Sequence, residues 1–449
     1  MSTIEKHDMT QGKILLPLVS FTIPLVLGNL FQLTYNAADS VIVGKYVGEQ
    51  ALAAVGTSTP IMNIAILLIS GMCMGASVLM SSQYGAKDYD TLSRQISTTM
   101  LAGCGFSVVF SLLMLLLANP VLRLIRVPET AIPEAAAYLR IIFMGLIFTF
   151  MYNFLANTMR ALGDSKTPLY FLVTSAFLNI FGDLFFVVVL RWGVAGSAIA
   201  TVCSEGLCCL LCGIYIKKKI PLLCLGKKWW VFDKSLLGKT VSYGSTSAMQ
   251  QVCLQLGKLI IQSVVNTQGV AVMAAFTAVN RVDDFAYTPQ QNIGHAMTTF
   301  LAQNKGAGHK ERMKKGFQTG LLIELVYSIG LFCVIWGLAP QIMTLFAEDG
   351  DAQVVSLGIS YLQLISWMYI LPGLTNGVQG FFRGIGDLKV TLYSTFMNMF
   401  GRVVAVFVMI RLLQMEFASL AWANMVGWIV MLLFEVPLLV KSMRNGECG

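Results

Sequence analysis

Twelve apolar runs, each long enough to cross a bilayer, dominate this chain. They lie near residues 14–44, 51–80, 96–118, 131–158, 168–190, 193–216, 237–266, 270–302, 317–338, 352–380, 390–411 and 415–440. A span takes about 20 helical residues. In hydrocarbon every backbone N–H and C=O must find its partner inside the protein, so repeated runs of this length fold as helices. The pattern predicts an all-α polytopic membrane protein with 12 transmembrane helices. Composition agrees: 12% of the 449 residues are charged, against about 25% in soluble domains. Residues 1–13, "MSTIEKHDMTQGK", are polar, and the run after them exceeds the apolar core of a signal peptide. It reads as the first membrane helix.

The basic residues set the orientation. Of the 31 Lys and Arg, 22 fall in connections on the side of the N-terminus, five on the other side and four within runs. This bias predicts cytoplasmic termini in a multi-pass plasma (inner) membrane protein. The net charge of +8 therefore reports topology, and no nucleic acid partner is expected. The expected partners are the lipid bilayer and small amphipathic molecules, and the chain is read as a monomer. Ten cysteines include Cys209 and Cys212 in a C-x-x-C spacing. Without a second ligand pair these read as small buried apolar residues, not as a metal or disulfide site.

The polar connection "KKKIPLLCLGKKWWVFDKSLLGK" (217–239) divides the runs six and six. It suggests lobes at 1–218 and 237–449 joined by a cytoplasmic linker, 219–236. "LGKT" (237–240) resembles the end of a phosphate loop, but Asp233 stands where the upstream glycine is needed, so no nucleotide site is read there. The halves repeat. "RALGDSK" (160–166) matches "RGIGDLK" (383–389) at an offset of 223, and "LNIFGD" (178–183) matches "MNMFGR" (397–402) at 219. An even number of spans per half predicts two parallel six-helix repeats around a central cavity, with alternating access.

Within the fifth run, "FLNIFGDLFF" (177–186) places Asn179 and Asp183 four residues apart, on one helix face. An intramembrane aspartate costs roughly 2.5–3.5 kcal/mol to insert and is a functional hypothesis by default. Asp183 lies about nine residues before the turn at Trp192–Gly193 and Thr201 about nine after it, so both sit roughly 13 Å below the outer end. Asp39 in "YNAADSVIVG" (35–44) lies roughly 8 Å deep by the same measure. Three helices thus bring Asp39, Asn179, Asp183 and Thr201 into one layer, with Glu205 a turn beyond Thr201. Burial and a neighbouring carboxylate both favour the protonated form of an acid, so this layer can hold a proton or a small cation. A purely structural network, with Asn179 and Thr201 satisfying a buried acid, is the plainer alternative. The repeat position of Asp183 is Arg402, so the coupling site is expected once, in the first half.

The ordered set of "DSVIVG", "ALAAVG" (51–56), "RALGDSKTP" (160–168), N-x-x-x-D and "GVAGSAIAT" (193–201) resembles the multidrug and toxic compound extrusion (MATE) family, in its DinF-like branch, over nearly the whole chain. That resemblance implies a secondary antiporter, not an enzyme, exporting amphipathic, often cationic drugs or toxic organic compounds in exchange for protons or sodium ions. It passes the cation-coupling role to Asp39, Asn179, Asp183 and Thr201, and implies that Pro24 is a hinge at which the first helix bends; a static kink is the alternative there. The NorM-like branch has an acid in the seventh helix where this chain has Gln250 and Gln251, so protons are the expected coupling ion. No cofactor is expected.

Further polar residues lie in "NRVDDFAYTPQQNIGH" (280–295). Arg281 and Asp284, at i and i+3, suggest a structural pair. Alternatively Asp283, Asp284, Gln290, Gln291 and His295, with Gln251, line a substrate wall, with Lys258 and Arg402 as counter-ions. The 24 Met and 27 Phe assign no pocket. In the repeated loops, Arg160 with Asp164 and Arg383 with Asp387 suggest loop-pinning pairs. A lipid-linked oligosaccharide flippase is the alternative function; an intramembrane enzyme lacks the required acid or metal clusters.

Overall fold

The computed structural model describes residues 8–125, 127–220, 230–346, 352–415, 417 and 419–444. Among them fourteen α-helices make the twelve expected passes: α1 Leu15–Tyr46, α2 Glu49–Gly85, α3 Tyr89–Leu124, α4 Ile132–Met144, α5 Leu146–Ala161, α6 Lys166–Asp183, α7 Gly193–Lys219, α8 Lys234–Val265, α9 Val270–Gly306, α10 Lys310–Phe346, α11 Ala352–Ser366, α12 Ile370–Ile385, α13 Leu388–Phe407 and α14 Ser419–Arg444. No strand occurs among the described residues.

The run at 131–158, expected as one helix, is α4 and α5 bent by 47°. The break sits at Gly145, where a Cβ would come within 2.5 Å of Val202 on α7. The break thus coincides with a residue that has no room for a side chain against α7. By length and apolarity nine helices among the described residues can cross a membrane, ten if the bent pair is one span. The passes below that standard are α8 and α9, whose sequences carry Gln250, Gln251 and Lys258, and Arg281, Asp283 and Asp284. Tertiary packing places them despite the polar residues. In both halves a π-helical turn ends the corresponding helix, Leu184–Val189 after α6 and Val408–Leu412 after α13.

The helices form two compact units. One holds Ile23–Ala248; the other holds Met9–Thr22 and the chain from Met249 onward. This grouping differs from the expected lobes at two helices: the start of α1 packs in the second unit and the start of α8 in the first. Of the expected linker, 221–229 lie outside the described residues. The stretch leading into α1 is held within the second unit by Arg312. Its guanidinium donates to the backbone carbonyls of Met9 (3.0 Å), Gln11 (2.8 Å) and Gly12 (2.7 Å), and Asn304 donates to Met9 O as well (3.2 Å). The division of α1 falls beside Pro24, through which the helix continues.

Each unit has its own core. The first is built around Ile69, Met80, Leu92, Leu122, Phe143 and Phe154; the second around Met343, Tyr361, Ile365, Met368, Tyr369 and Ala421. In lipid, helix association rests on close van der Waals contact and interhelical hydrogen bonds, which favours small residues at the contacts. Gly71 and Gly75 of α2 meet this need against α8: a Cβ on Gly75 would lie 2.3 Å from Tyr243 O, and one on Gly71 2.6 Å from Ala248 Cα. In the second unit Gly380 of α12 lies against α9 in the same way, since a Cβ on it would stand 2.7 Å from Gly294 O. Cys208 and Cys212 are fully buried, and every described cysteine is a free thiol.

Candidate functional site

The two-faced pattern of α6 does what its spacing predicts. Asn179 is 2% exposed and Asp183 fully buried, while Phe177 and Phe181 point outward. Helix α7 can approach that polar face because the contact is lined by small residues. A Cβ on Gly182 would stand 3.0 Å from the Ala200 methyl, and one on Gly196 3.0 Å from the Phe186 backbone. The facing side of α7 then carries Ser197 and, four residues on, Thr201.

Hydrogen bonds tie three helices of the first unit, α1, α6 and α7, together. Asn179 Nδ2 donates to Thr201 Oγ1 at 3.1 Å. Thr201 donates in turn to the Ser197 carbonyl at 3.2 Å. Ser197 Oγ donates to Asp39 Oδ1 at 2.7 Å, bringing in α1. Asp39 and Ser197 are the polar neighbours of Asp183. Neither is in hydrogen-bond geometry with it: both Asp183 carboxylate oxygens, and Asn179 Oδ1, are enclosed without a partner. Asp39, Asn179, Asp183 and Thr201 are therefore brought together, as the depth argument expected.

Glu205 is half-buried one turn beyond Thr201 and accepts a hydrogen bond from Thr149 on α5. It lies beside the cluster, not in its hydrogen-bond chain. Tyr138 on α4 and Tyr35 on α1 stand within electrostatic reach of the same acids. Sequence reasoning missed Ser197, Thr149 and Tyr138. Ser197 was within its reach, since it is four residues from Thr201 and shares its face. Thr149 and Tyr138 carry no such signal, since they come from α5 and α4.

An enclosed carboxylate with unpartnered oxygens, as at Asp183, is costly as a bare charge. With half-buried Asp39 beside it and hydroxyl and amide groups around both, the two acids can share a proton or hold a small monovalent cation.

The second unit answers the remaining expectations differently. Asp284 pairs with Lys258 at 3.3 Å, so the expected Arg281–Asp284 pair is replaced by a link from α9 to α8; both partners are exposed. Asp283 is buried and accepts from the Tyr361 hydroxyl at 3.3 Å and from the Tyr369 hydroxyl, with Arg402 within electrostatic reach. Gln290 is fully buried and donates to Ser328 Oγ (3.1 Å) and Tyr369 O (2.8 Å). Its Nε2 is thereby committed within the helix contacts, while its Oε1 is enclosed without a partner. Gln251 and His295 are half-buried and Gln291 is exposed, whereas the groups bonded to Asp283 are the two tyrosine hydroxyls. Of the neighbouring glutamines it is Gln250 that is buried, donating to Gln379 and Thr395.

The expected loop pairs are corrected too. Asp164 accepts from the backbone N–H of Lys166 and Thr167, at 3.0 Å each, and so caps the start of α6. Arg383 donates to Gln379, one turn back on its own helix, at 2.9 Å. Asp164 thus bonds to backbone just ahead of it in the chain, and Arg383 to the residue four before it instead of the one four after.

A family model, MatE, matches residues 24–185 and 247–409, one stretch in each half. Among curated proteins, the chain is 32% identical over 392 residues to "Probable multidrug resistance protein YpnP" of Bacillus subtilis (strain 168), covering 87% of this chain and 86% of that one. It is 23% identical over 423 residues to "Probable multidrug resistance protein NorM" of Thermotoga maritima, covering 92% and 89%. Among solved structures, an outward-facing multidrug resistance MATE family transporter of the MOP superfamily superposes with a TM-score of 0.91 at 22% identity, over 100% of this chain and 99% of that one. A MOP superfamily transporter from Pyrococcus furiosus gives 0.91 at 21%, over 99% of each chain. At that identity the superpositions establish the fold.

Proposed function

This chain belongs to the MATE family of multi-pass membrane transporters, and we propose that it is a secondary antiporter exporting amphipathic, often cationic, drugs or toxic organic compounds in exchange for protons. The supporting observation is the neighbouring pair Asp39 and Asp183, set in the Ser197, Asn179 and Thr201 network of α1, α6 and α7. Intramembrane acids of this kind mark ion pathways and proton relays. A proton on the pair removes the repulsion between the carboxylates; its release restores it. Alternating access uses that difference: the conformation that encloses the pair favours the protonated state, and one that opens it to water favours release. Pro24, which leaves one backbone carbonyl of α1 without its N–H partner, is the proposed hinge by which α1 follows the charge state of Asp39. The excess of Lys and Arg on one side supports cytoplasmic termini.

The test is ethidium efflux from proteoliposomes under a pH gradient and a sodium gradient imposed separately. The pH gradient alone is expected to drive efflux, and Asp183→Asn to abolish it with the protein still monodisperse. Wild-type efflux by Asp183→Asn would remove the assignment. Efflux driven by sodium alone would move the coupling ion from proton to sodium.

A further inference from the structure

Among the described residues two acids of the other unit, Glu324 and Glu435, are enclosed with both carboxylate oxygens unpartnered, and Glu435 is the one with a guanidinium acting on it. Glu435 on α14 is fully buried, and neither of its carboxylate oxygens has a hydrogen-bond partner. Two neighbouring helices face it. From α12 come Gln379 and Arg383; from α13 comes Ser394. Arg383 is the charged group acting on it, and the other neighbours are neutral.

The surroundings form one buried polar network. Gln379 Oε1 accepts from Arg383 Nη2 (2.9 Å) and from Gln250 Nε2 of α8 (3.2 Å). Gln379 Nε2 donates to Thr395 Oγ1 (3.0 Å) and lies 3.4 Å from Ser394 Oγ. Gln250 also donates to Thr395 (2.9 Å). Gln379 therefore has both ends engaged and is a neighbour of both the guanidinium and the carboxyl. Arg383 keeps Nε enclosed and unpartnered. A structural ion pair looks different, since it brings N and O into direct contact to offset the loss of water. Here the two groups are neighbours, opposite in nature and not bonded.

Among its described residues the first half has no such arrangement. The two repeat offsets, 223 and 219 residues, match Arg160 to Arg383 and set Cys212 or Ile216, both apolar-core residues, opposite Glu435. Arg160 has Tyr152 as its electrostatic neighbour, and Cys212 sits in the apolar core. The acid is thus present in one repeat alone, placed where packing in the other is served by an apolar residue.

We propose that Glu435 is a second proton-binding site, in which the carboxyl takes up a proton when enclosed and, on losing it, draws the Arg383 guanidinium into direct contact in place of Gln379. The exchange remakes hydrogen bonds among α8, α12, α13 and α14. It deepens the antiport reading above, adding a proton site in the second half, and rests on that reading only for its link to transport.

Infrared difference spectra of the purified protein across a pH titration test it directly. The carboxylic-acid C=O region is expected to lose one component in Glu435→Gln and a different one in Asp183→Asn. Arg383→Gln is expected to displace the titration midpoint of the Glu435 component and leave the Asp183 component in place. A Glu435→Gln spectrum that superposes on wild type overturns the proposal. The link to transport is read from protons released on adding ethidium in weak buffer. Glu435→Gln is expected to release about half as many as wild type, and Asp183→Asn to retain the rest. Release by Glu435→Gln equal to wild type overturns the link. Loss of nothing in Asp183→Asn removes the first-half assignment and leaves Glu435 to its own spectra.

Discussion

Ser197 Oγ lies 2.7 Å from Asp39 Oδ1 and donates its proton to it. The bond joins α7 to α1 and is the direct link between the Asn179–Thr201 pair and the first helix. A hydrogen bond contributes about 0.5–1.5 kcal/mol net. If that bond positions Asp39 for coupling, Ser197→Ala should slow ethidium efflux about tenfold, the equivalent of about 1.4 kcal/mol, and Ser197→Thr should restore most of the rate. Initial efflux rates in proteoliposomes decide it; an alanine variant as fast as wild type would show the bond to be dispensable.

Gly75 permits the contact of α2 with α8 inside the first unit, since a Cβ there would sit 2.3 Å from Tyr243 O. Backbone cannot move aside as a flexible side chain can. Gly75→Leu should therefore lower stability by about 1–3 kcal/mol, the usual cost of overpacking. Gly105 on α3 has open space around its Cβ position, so Gly105→Ala should leave the melting temperature unchanged or raise it. A fluorescence thermal-shift comparison of the two variants reads the difference.

Asp88 precedes α3 and accepts the Thr91 backbone N–H at 3.1 Å. The hydrogen bonds from Thr91, helped by Arg94, hold its carboxyl below the usual aspartate range. A depressed folded value means that the stabilisation is complete above the unfolded pKa and is lost as pH falls through the folded one. Asp88→Ala should cost about 1 kcal/mol at neutral pH, and the deficit should close on acidification below the carboxylate range. Asp88→Asn keeps an acceptor and should melt close to wild type at neutral pH. Thermal unfolding at neutral pH and at steps down to about pH 2, from above the free aspartate value of about 3.9 toward the depressed folded one, checks the sign.

Much of the first-half cluster is legible in the sequence because its rules are local. The i, i+4 spacing of Asn179 and Asp183 fixes their shared face, and a short turn between two spans fixes the depth of Thr201 against Asp183. The same reasoning fails where partners come from other helices. Asp284 has Arg281 within reach on its own helix, yet it meets Lys258 of α8. Gln250 and Gln251 are indistinguishable as sequence, yet Gln250 is the one turned into the unit.

The sequence by itself determined the twelve passes, the doubling of the fold and the layer that holds two acids. Length, apolarity and helical period are properties of a continuous stretch of chain, and a bilayer enforces them directly. Tertiary structure decided the break at Gly145, the seating of Met9–Gly12 under Arg312 and the gathering of Gln250, Gln379, Arg383 and Glu435 into one enclosed network. Each of these depends on how closely backbones approach and which buried donors are left over, and such quantities exist only once separate helices have packed.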